Sequence, residues 1–345
     1  MSSQVPRFFG SETTPIRTFV SGTHNPTDID VKLATRIVQH GGILYPPTTI
    51  TPITKIIHFI WVNDDASKSN FNSHPQFDQN ITAFKQANPS WEVIIWDEER
   101  VSNTHFPVNN FANRSLFDSY HCEFDAGRKS DILRYELLYN FGGVYVDVDY
   151  MCLRPFPADM LETGFFCGAS NTGCVELNNG LIGSCAGHPI LGRLIASIAE
   201  YFSTSSAAAA AAPAQSAPQP PLGLLASYLS GAELTTAAIA FDTSRSAVEG
   251  DNEENYNKLQ QRLTMAQINE TIAQTGPGLL TRIVMGCFDD DQLELNGGGA
   301  GLRVYKYDVF HSVPNTARGG GVTNGECFVT DDSVAVHQWA CSWQK

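Results

Sequence analysis

The chain has no run of roughly 18 apolar residues, so nothing in it reads as a membrane-spanning helix. Its start, MSSQVPRFFGSE, lacks both the charged region and the apolar core of a signal peptide, and the chain as given is expected to be soluble. Basic residues are few. Only 22 Lys and Arg face 36 Asp and Glu, for a formal charge of -14. Binding a phosphate backbone needs clustered cations, so a general nucleic-acid binder is excluded. The eight cysteines (Cys122, Cys152, Cys167, Cys174, Cys185, Cys287, Cys327 and Cys341) form no CxxC pair and no zinc-like spacing, which points to buried free thiols. There is no internal repeat. There is also no Gly-x4-Gly-Lys-Ser/Thr loop, which removes the usual cradle of a phosphoryl-transfer enzyme.

What is present is an ordinary core: 42% hydrophobic and 10% aromatic residues over 345 positions, enough for one α/β domain with insertions. An acidic protein that holds an anionic ligand needs a local device, and a bound divalent cation is the simplest one.

Residues 1–50, with scattered Pro, Thr and Gly, read as an N-terminal extension, and 51–345 as a single domain. KIIHFIWV (Lys55–Val62) is a continuous apolar run, as in a parallel strand buried on both faces. Pro75 then opens a helix with Phe77, Ile81 and Phe84 at helical spacing, stopped at Asn88-Pro89. WEVIIW (Trp91–Trp96) is a second buried strand. From Ser130 the helical period returns through Phe141, Gly142-Gly143 ends it, and a strand VYVDV follows at once. This alternation predicts an α/β fold, a Rossmann-like mixed central sheet with flanking helices. Ligands of such sheets sit beyond strand C-termini. Residues 189–275 form a variable helical region, and within it 203–221 read as a flexible Ala/Pro insertion.

The chemistry concentrates in SDILRYELLYNFGGVYVDVDYM (Ser130–Met151). Asp147 and Asp149 alternate with Val148 at a strand end, so in an extended chain their carboxylates point the same way. Such a pair suits a hard divalent ion that bridges to phosphate oxygens. Asp131 and Arg134, three apart on the preceding helix, share a face, and the double glycine brings them back toward the strand end.

This segment resembles the DXD-containing glycosyltransferases of family 32, which include yeast-type α-mannosyltransferases and bacterial capsule enzymes, and is similar to the large clostridial glucosylating toxins. The matching residues are Ser130, Asp131, Arg134, Tyr135, Gly142, Gly143, Tyr145, Asp147 and Asp149. MCLRPF (Met151–Phe156) continues the likeness. KIIHFIWV resembles the family's opening strand, LNNGLIGSCAGHP (Leu177–Pro189) its Asn-containing segment with Asn179 aligning better than Asn178, and VHQWACSW (Val336–Trp343) its C-terminal signature.

The resemblance implies a GT-A type fold. It implies that Asp149 binds a metal, Mn²⁺ or Mg²⁺, and that Asp147 contacts the metal, the donor ribose or the donor sugar. His337 is the candidate third ligand, a neutral imidazole able to close the site opposite the acidic strand end. Asp131 and Arg134 are implied to bind hydroxyls of the transferred sugar, with Arg134 steadying the leaving group's charge. Trp61 is a candidate to stack on the nucleotide base, with core packing as the alternative. Tyr145 faces the side of Asp147. Asn179, Ser342 and Trp343 complete the candidate donor-binding set.

The expected activity is metal-dependent, retaining transfer of a hexose from GDP-mannose or a UDP-hexose to a glycan, lipid or protein acceptor. Two alternatives remain open: a nucleotide-sugar hydrolase, or a catalytically idle carbohydrate-binding protein on the same fold. Many eukaryotic relatives carry a membrane anchor that this N-terminus lacks, so a cytoplasmic location is favoured over the Golgi lumen or secretion.

Overall fold

Among the residues that the structure, a computed structural model, describes, nine strands and the helices between them build one α/β unit. The described residues are 42–45, 51–62, 75–102, 111–119, 125–172, 176–210, 268–287, 301–315 and 328–340. Seven strands form the main sheet: β1 (Gly42–Tyr45), β2 (Ile56–Trp61), β3 (Glu92–Asp97), β4 (Gly143–Val146), β6 (Phe165–Ala169), β7 (Leu177–Ser184) and β8 (Leu302–Tyr305), in the order β1-β8-β6-β7-β4-β2-β3. The pairs β2–β3, β2–β4 and β6–β8 are parallel. The pairs β1–β8, β4–β7 and β6–β7 are antiparallel. Strands β2, β3, β4, β6 and β8 therefore end on one edge. Two short strands, β5 (Tyr150–Cys152) and β9 (Ala335–His337), form a separate antiparallel ribbon.

Burial explains the sheet's composition. Ile57 and Phe59 of β2 and Val144 and Val146 of β4 point to one face, where they meet Ile81 and Phe84 of helix α1 (Pro75–Ala87). Ile60 and Tyr145 point to the other, against Leu133 and Leu137 of helix α2 (Asp125–Phe141), Leu191 and Leu194 of helix α3 (Pro189–Ala210) and Leu280 of helix α4 (Pro277–Met285). With both faces covered, a strand profits from apolar residues at every position, which is why β2 shows no alternation. His58 is the polar exception. Its Nε2 bonds the Gly142 carbonyl at 2.8 Å and its Nδ1 accepts from Trp96 Nε1 at 3.1 Å, so a buried imidazole clamps the turn between α2 and β4. Burial holds its pKa down to about 4 and keeps it neutral.

That turn admits only glycine. Gly142 and Gly143 have φ of 65° and 108°, and a Cβ on Gly143 would stand 2.6 Å from the Ile56 carbonyl oxygen.

The structure differs from the sequence expectations at several points. α2 begins at Asp125, five residues before the apolar period is obvious, because its first turn is polar. β4 stops at Val146, and Asp147 lies in a turn closed by Tyr150 N–H on the Asp147 carbonyl at 3.1 Å. The acidic pair is thus held by a turn between two sheets and not by strand alternation, since β5 has to leave the main sheet to pair with β9. α3 continues through Ala210, so the first part of the stretch read as a flexible insertion is helical, in keeping with alanine's helix propensity. Gly42–Tyr45, inside the segment assigned to the extension, forms the sheet's edge strand. Residues 211–221 of the insertion lie outside the described residues, as do Ser342 and Trp343. The described cysteines, Cys152, Cys167, Cys185 and Cys287, are free thiols. Among the described residues no helix is long and apolar enough to cross a membrane.

Candidate active site

The site lies where the C-terminal end of β4 meets α2, β7 and the ribbon. α2 places Asp131 and Arg134 one turn apart on its inner face, with Arg134 Nη2 3.2 Å from Asp131 Oδ1 and 3.4 Å from Asp147 Oδ1. The guanidinium also donates to the Asn179 carbonyl at 2.8 Å and the Ser130 carbonyl at 3.1 Å. Burial opposes its charge, but the Asp147, Tyr145 and Asp131 oxygens around it more than offset this, and it stays protonated.

Asp131 is enclosed. Asn179 Nδ2 donates to Oδ1 at 2.7 Å and Thr275 Oγ1 to Oδ2 at 2.9 Å. Burial pushes its carboxyl up from the usual range, and Arg134, Thr275 and Asn179 pull it back only in part. Tyr135 braces this corner, donating to the Thr275 carbonyl at 2.9 Å and accepting from Asn179 Nδ2 at 3.1 Å.

Asp147, Asp149 and His337 each offer a ligand atom, and the three atoms lie within 4.8 Å of one another. Asp147 Oδ1 accepts from the Tyr145 hydroxyl. Asp149 Oδ2 is 3.2 Å from His337 Nε2 and accepts the Ala340 N–H at 2.9 Å. The Asp149 carbonyl accepts from Gln338 N–H at 3.0 Å, and Asn80 Nδ2 holds the Val148 carbonyl at 2.9 Å. The turn bearing both carboxylates is thereby tied to α1 and to the segment after β9. Burial alone would raise the Asp149 carboxyl, but His337 and the Ala340 N–H outweigh it and leave it below the usual carboxylate range. Burial likewise disfavours protonated His337, yet Asp149 and Asp147 hold its pKa above the usual value.

Two carboxylate oxygens, which are hard donors, and one imidazole nitrogen, a borderline donor, form a set able to hold a divalent cation. A proton on His337 Nε2 would partly neutralise the two carboxylates, and a cation bound there would have to displace it. The His337 Nδ1 is buried with no hydrogen-bond partner, so Nε2 is the atom turned toward the carboxylates.

The structure thus brings together Asp131, Arg134, Tyr145, Asp147, Asp149, Asn179 and His337. Asn179 faces Asp131, whereas the neighbouring Asn178 faces away along β7, its Oδ1 accepting the Gly180 N–H at 2.6 Å. Trp61, at the C-terminal end of β2, has its ring tilted on Phe77 with centroids 5.6 Å apart. Sequence reasoning assigned no part to Thr275, Asn178, Tyr150 or His311. Tyr150 directly follows the acidic pair and could have been suspected. Thr275 and His311 arrive from distant segments with no local signal.

Residues 75–165 match the family model described as "Glycosyltransferase sugar-binding region containing DXD motif". An uncharacterized glycosyltransferase of Acanthamoeba polyphaga mimivirus is 32% identical over 146 residues, covering 40% of this chain and 52% of that protein. Inositol phosphoceramide mannosyltransferase 1 of Schizosaccharomyces pombe is 23% identical over 159 residues, covering 45% and 46%. The Subversion of eukaryotic traffic protein A of Legionella pneumophila is 28% identical, covering 44% of this chain and 26% of its own length. The chain therefore spans about half or less of the length of these relatives. Among solved structures, the PaToxG glycosyltransferase aligns with a TM-score of 0.37 at 17% identity, covering 70% of this chain and 89% of that one. The catalytic domain of alpha-toxin from Clostridium novyi aligns with a TM-score of 0.38 at 9% identity, covering 86% and 80%.

Proposed function

We propose that this chain, which carries the DXD-containing sugar-binding region of a glycosyltransferase, transfers a hexose from a nucleoside diphosphate sugar to an acceptor, with a divalent metal and with retention of configuration. The observation that carries this reading is the convergence of Asp147, Asp149 and His337 within 4.8 Å of one another, beside the enclosed Arg134. We read the fold as GT-A, 51–345 as the catalytic domain and 1–50 as an extension that lends the strand Gly42–Tyr45 to its sheet.

Mn²⁺ or Mg²⁺, held by Asp147, Asp149 and His337, would supply positive charge for the departing diphosphate. Arg134 adds a second fixed cation whose orientation is set in advance by Asp131, Asn179 and Ser130, so little reorganisation is needed as charge develops. Asp131 accepts from Asn179, Thr275 and Arg134, against about four lone-pair positions on a carboxylate. One position remains for a hydroxyl of the donor sugar. Trp61 is assigned to the nucleotide base, Tyr145 and Asn179 to the walls of the donor pocket, and Ser342 and Trp343 to the diphosphate.

No carboxylate beyond these is assigned as an acceptor base, in keeping with a same-face reaction in which the leaving phosphate takes the acceptor's proton. The name of the fission-yeast relative favours mannose as the sugar, hence GDP-mannose as the donor, and a lipid acceptor. UDP-hexoses and glycan or protein acceptors are the alternatives.

The test is release of nucleoside diphosphate from a panel of GDP- and UDP-sugars with Mn²⁺ or EDTA, together with analysis of the sugar product. Mn²⁺-dependent release from one donor, absent in Asp149→Asn, is the expected result. Free sugar as the sole product in the presence of acceptors would mark a hydrolase, and neither release nor donor binding would mark an idle binding protein.

A further inference from the structure

His337 sits on a three-residue strand, and a strand that short does not by itself fix the ring of a side chain. The register of the ribbon places Tyr150 directly opposite. The two rings lie face to face, with centroids 4.6 Å apart and 7° between planes. His311 stands edge-on to both, 5.7 Å from Tyr150 and 5.8 Å from His337. Tyr150 is wholly buried. Packing alone would be served by phenylalanine, since burying a hydroxyl is unfavourable unless it is bonded.

The Tyr150 hydroxyl is bonded on two sides, to His311 Nε2 at 2.5 Å and to Asn178 Oδ1 at 3.3 Å. Asn178 Oδ1 also accepts the Gly180 N–H at 2.6 Å, and the Gly180 carbonyl accepts the Asp147 N–H at 2.7 Å. A continuous series of fixed contacts thus runs from the ring of His337, through Tyr150, to the part of β7 that holds the backbone of Asp147.

We propose that Tyr150 is the positioning residue of the candidate cation site. It sets the plane of the His337 ring by stacking, and its hydroxyl ties that ring, with His311 behind it, to the Asn178–Gly180 shelf under Asp147. The inference rests on the metal reading given above. Residues that orient metal ligands in this way are commonly worth about 10- to 100-fold in metal affinity.

The test is titration of Mn²⁺ alone into the purified full chain, followed by electron paramagnetic resonance of the free ion. Wild type, Tyr150→Phe, His337→Ala and Asp149→Asn would be compared well below their unfolding temperatures. The expected result is binding by wild type, its loss in His337→Ala and Asp149→Asn, and about 10-fold weaker binding in Tyr150→Phe. Wild-type affinity in a folded Tyr150→Phe would overturn the inference and leave the metal reading standing. Failure of wild type to bind Mn²⁺ in any way that depends on Asp149 or His337 would overturn the metal reading, and the inference with it. Should Tyr150→Phe not fold, Asn178→Ala cuts the same tie while keeping both rings. Weakened binding there supports the assignment, and unchanged binding overturns it.

Discussion

The guanidinium carbon of Arg134 lies 4.4 Å over the ring of Tyr145. Because the Tyr145 hydroxyl donates to Asp147, the same ring that carries the cation on its face also steadies one of the two DXD carboxylates with its edge. Tyr145 is therefore part of the site's framework, and burial together with Asp147 keeps its proton well above the usual phenol range, so it remains a donor. A planar cation is needed to lie on that ring while reaching four oxygen partners.

Arg134→Lys is accordingly expected to be far from conservative. A lysine ammonium is a point charge without the fork that serves Asn179, Ser130, Asp131 and Asp147 together. Donor turnover should fall on the order of 10²-fold, and stability by about 2 kcal/mol, because carboxylate and carbonyl oxygens lose donors. Steady-state kinetics and urea unfolding check both numbers.

Asp149→Asn should remove Mn²⁺-dependent release of nucleoside diphosphate, by at least on the order of 10³-fold, while the chain stays folded. The amide is isosteric and its oxygen can still accept the Ala340 N–H. Retained Mn²⁺ dependence in this variant would take Asp149 out of the ligand set.

Two glycines should respond in opposite ways to alanine. A Cβ on Gly180 would stand 2.6 Å from Asp147 Oδ2 and 2.8 Å from Asn178 Oδ1, so Gly180→Ala is expected to displace Asp147 and weaken Mn²⁺ binding about 10-fold. On Gly192, inside α3, a Cβ would meet only Tyr139 at 3.6 Å, an ordinary contact. Gly192→Ala should stabilise the protein by about 0.5–1 kcal/mol with no change in Mn²⁺ affinity. Thermal melts and Mn²⁺ titrations of the pair distinguish a site glycine from a helix glycine.

Glu136 gives a dependence on pH. Its buried carboxyl, on α2, accepts the Asn113 N–H at 3.1 Å, and burial pushes its pKa up to about 7 from 4.5. The folded chain therefore keeps this proton between roughly pH 4.5 and 7, where the unfolded chain has lost it. More protons on the folded state mean that stability falls as pH rises through that window, by at most on the order of 1 kcal/mol per pH unit from this group. Glu136→Gln should flatten that part of the pH–stability curve and leave stability near pH 4.5 little changed. An unaltered slope between pH 5 and 7 would mean that Glu136 is already ionised in the folded protein.

How far the sequence could be read depended on distance along the chain. The run from Ser130 to Asp149 was legible because its signals are local: a 3.6-residue period, a double glycine that only one backbone geometry accommodates, and acidic residues immediately after an apolar strand. Even there, strand alternation does not account for the convergence of Asp147 and Asp149, since β4 ends at Val146 and the chain turns. Asn179 could be preferred over Asn178 on resemblance alone, but which of them faces Asp131 follows from the register of β7 against β4 and β6.

By itself, then, the sequence determined an α/β chain without an evident membrane span, and an acidic turn placed after a helix bearing Asp131 and Arg134. These follow from periodicity and from steric limits that act within a few residues. Only the tertiary structure decided which distant groups complete the site. Thr275 reaches Asp131 across 144 residues, His311 reaches Tyr150 across 161, and Ala340 reaches Asp149 across 191. Such pairings are selected by burial and strand register over the whole fold, and no pattern within a single segment encodes which partner a buried polar group will meet.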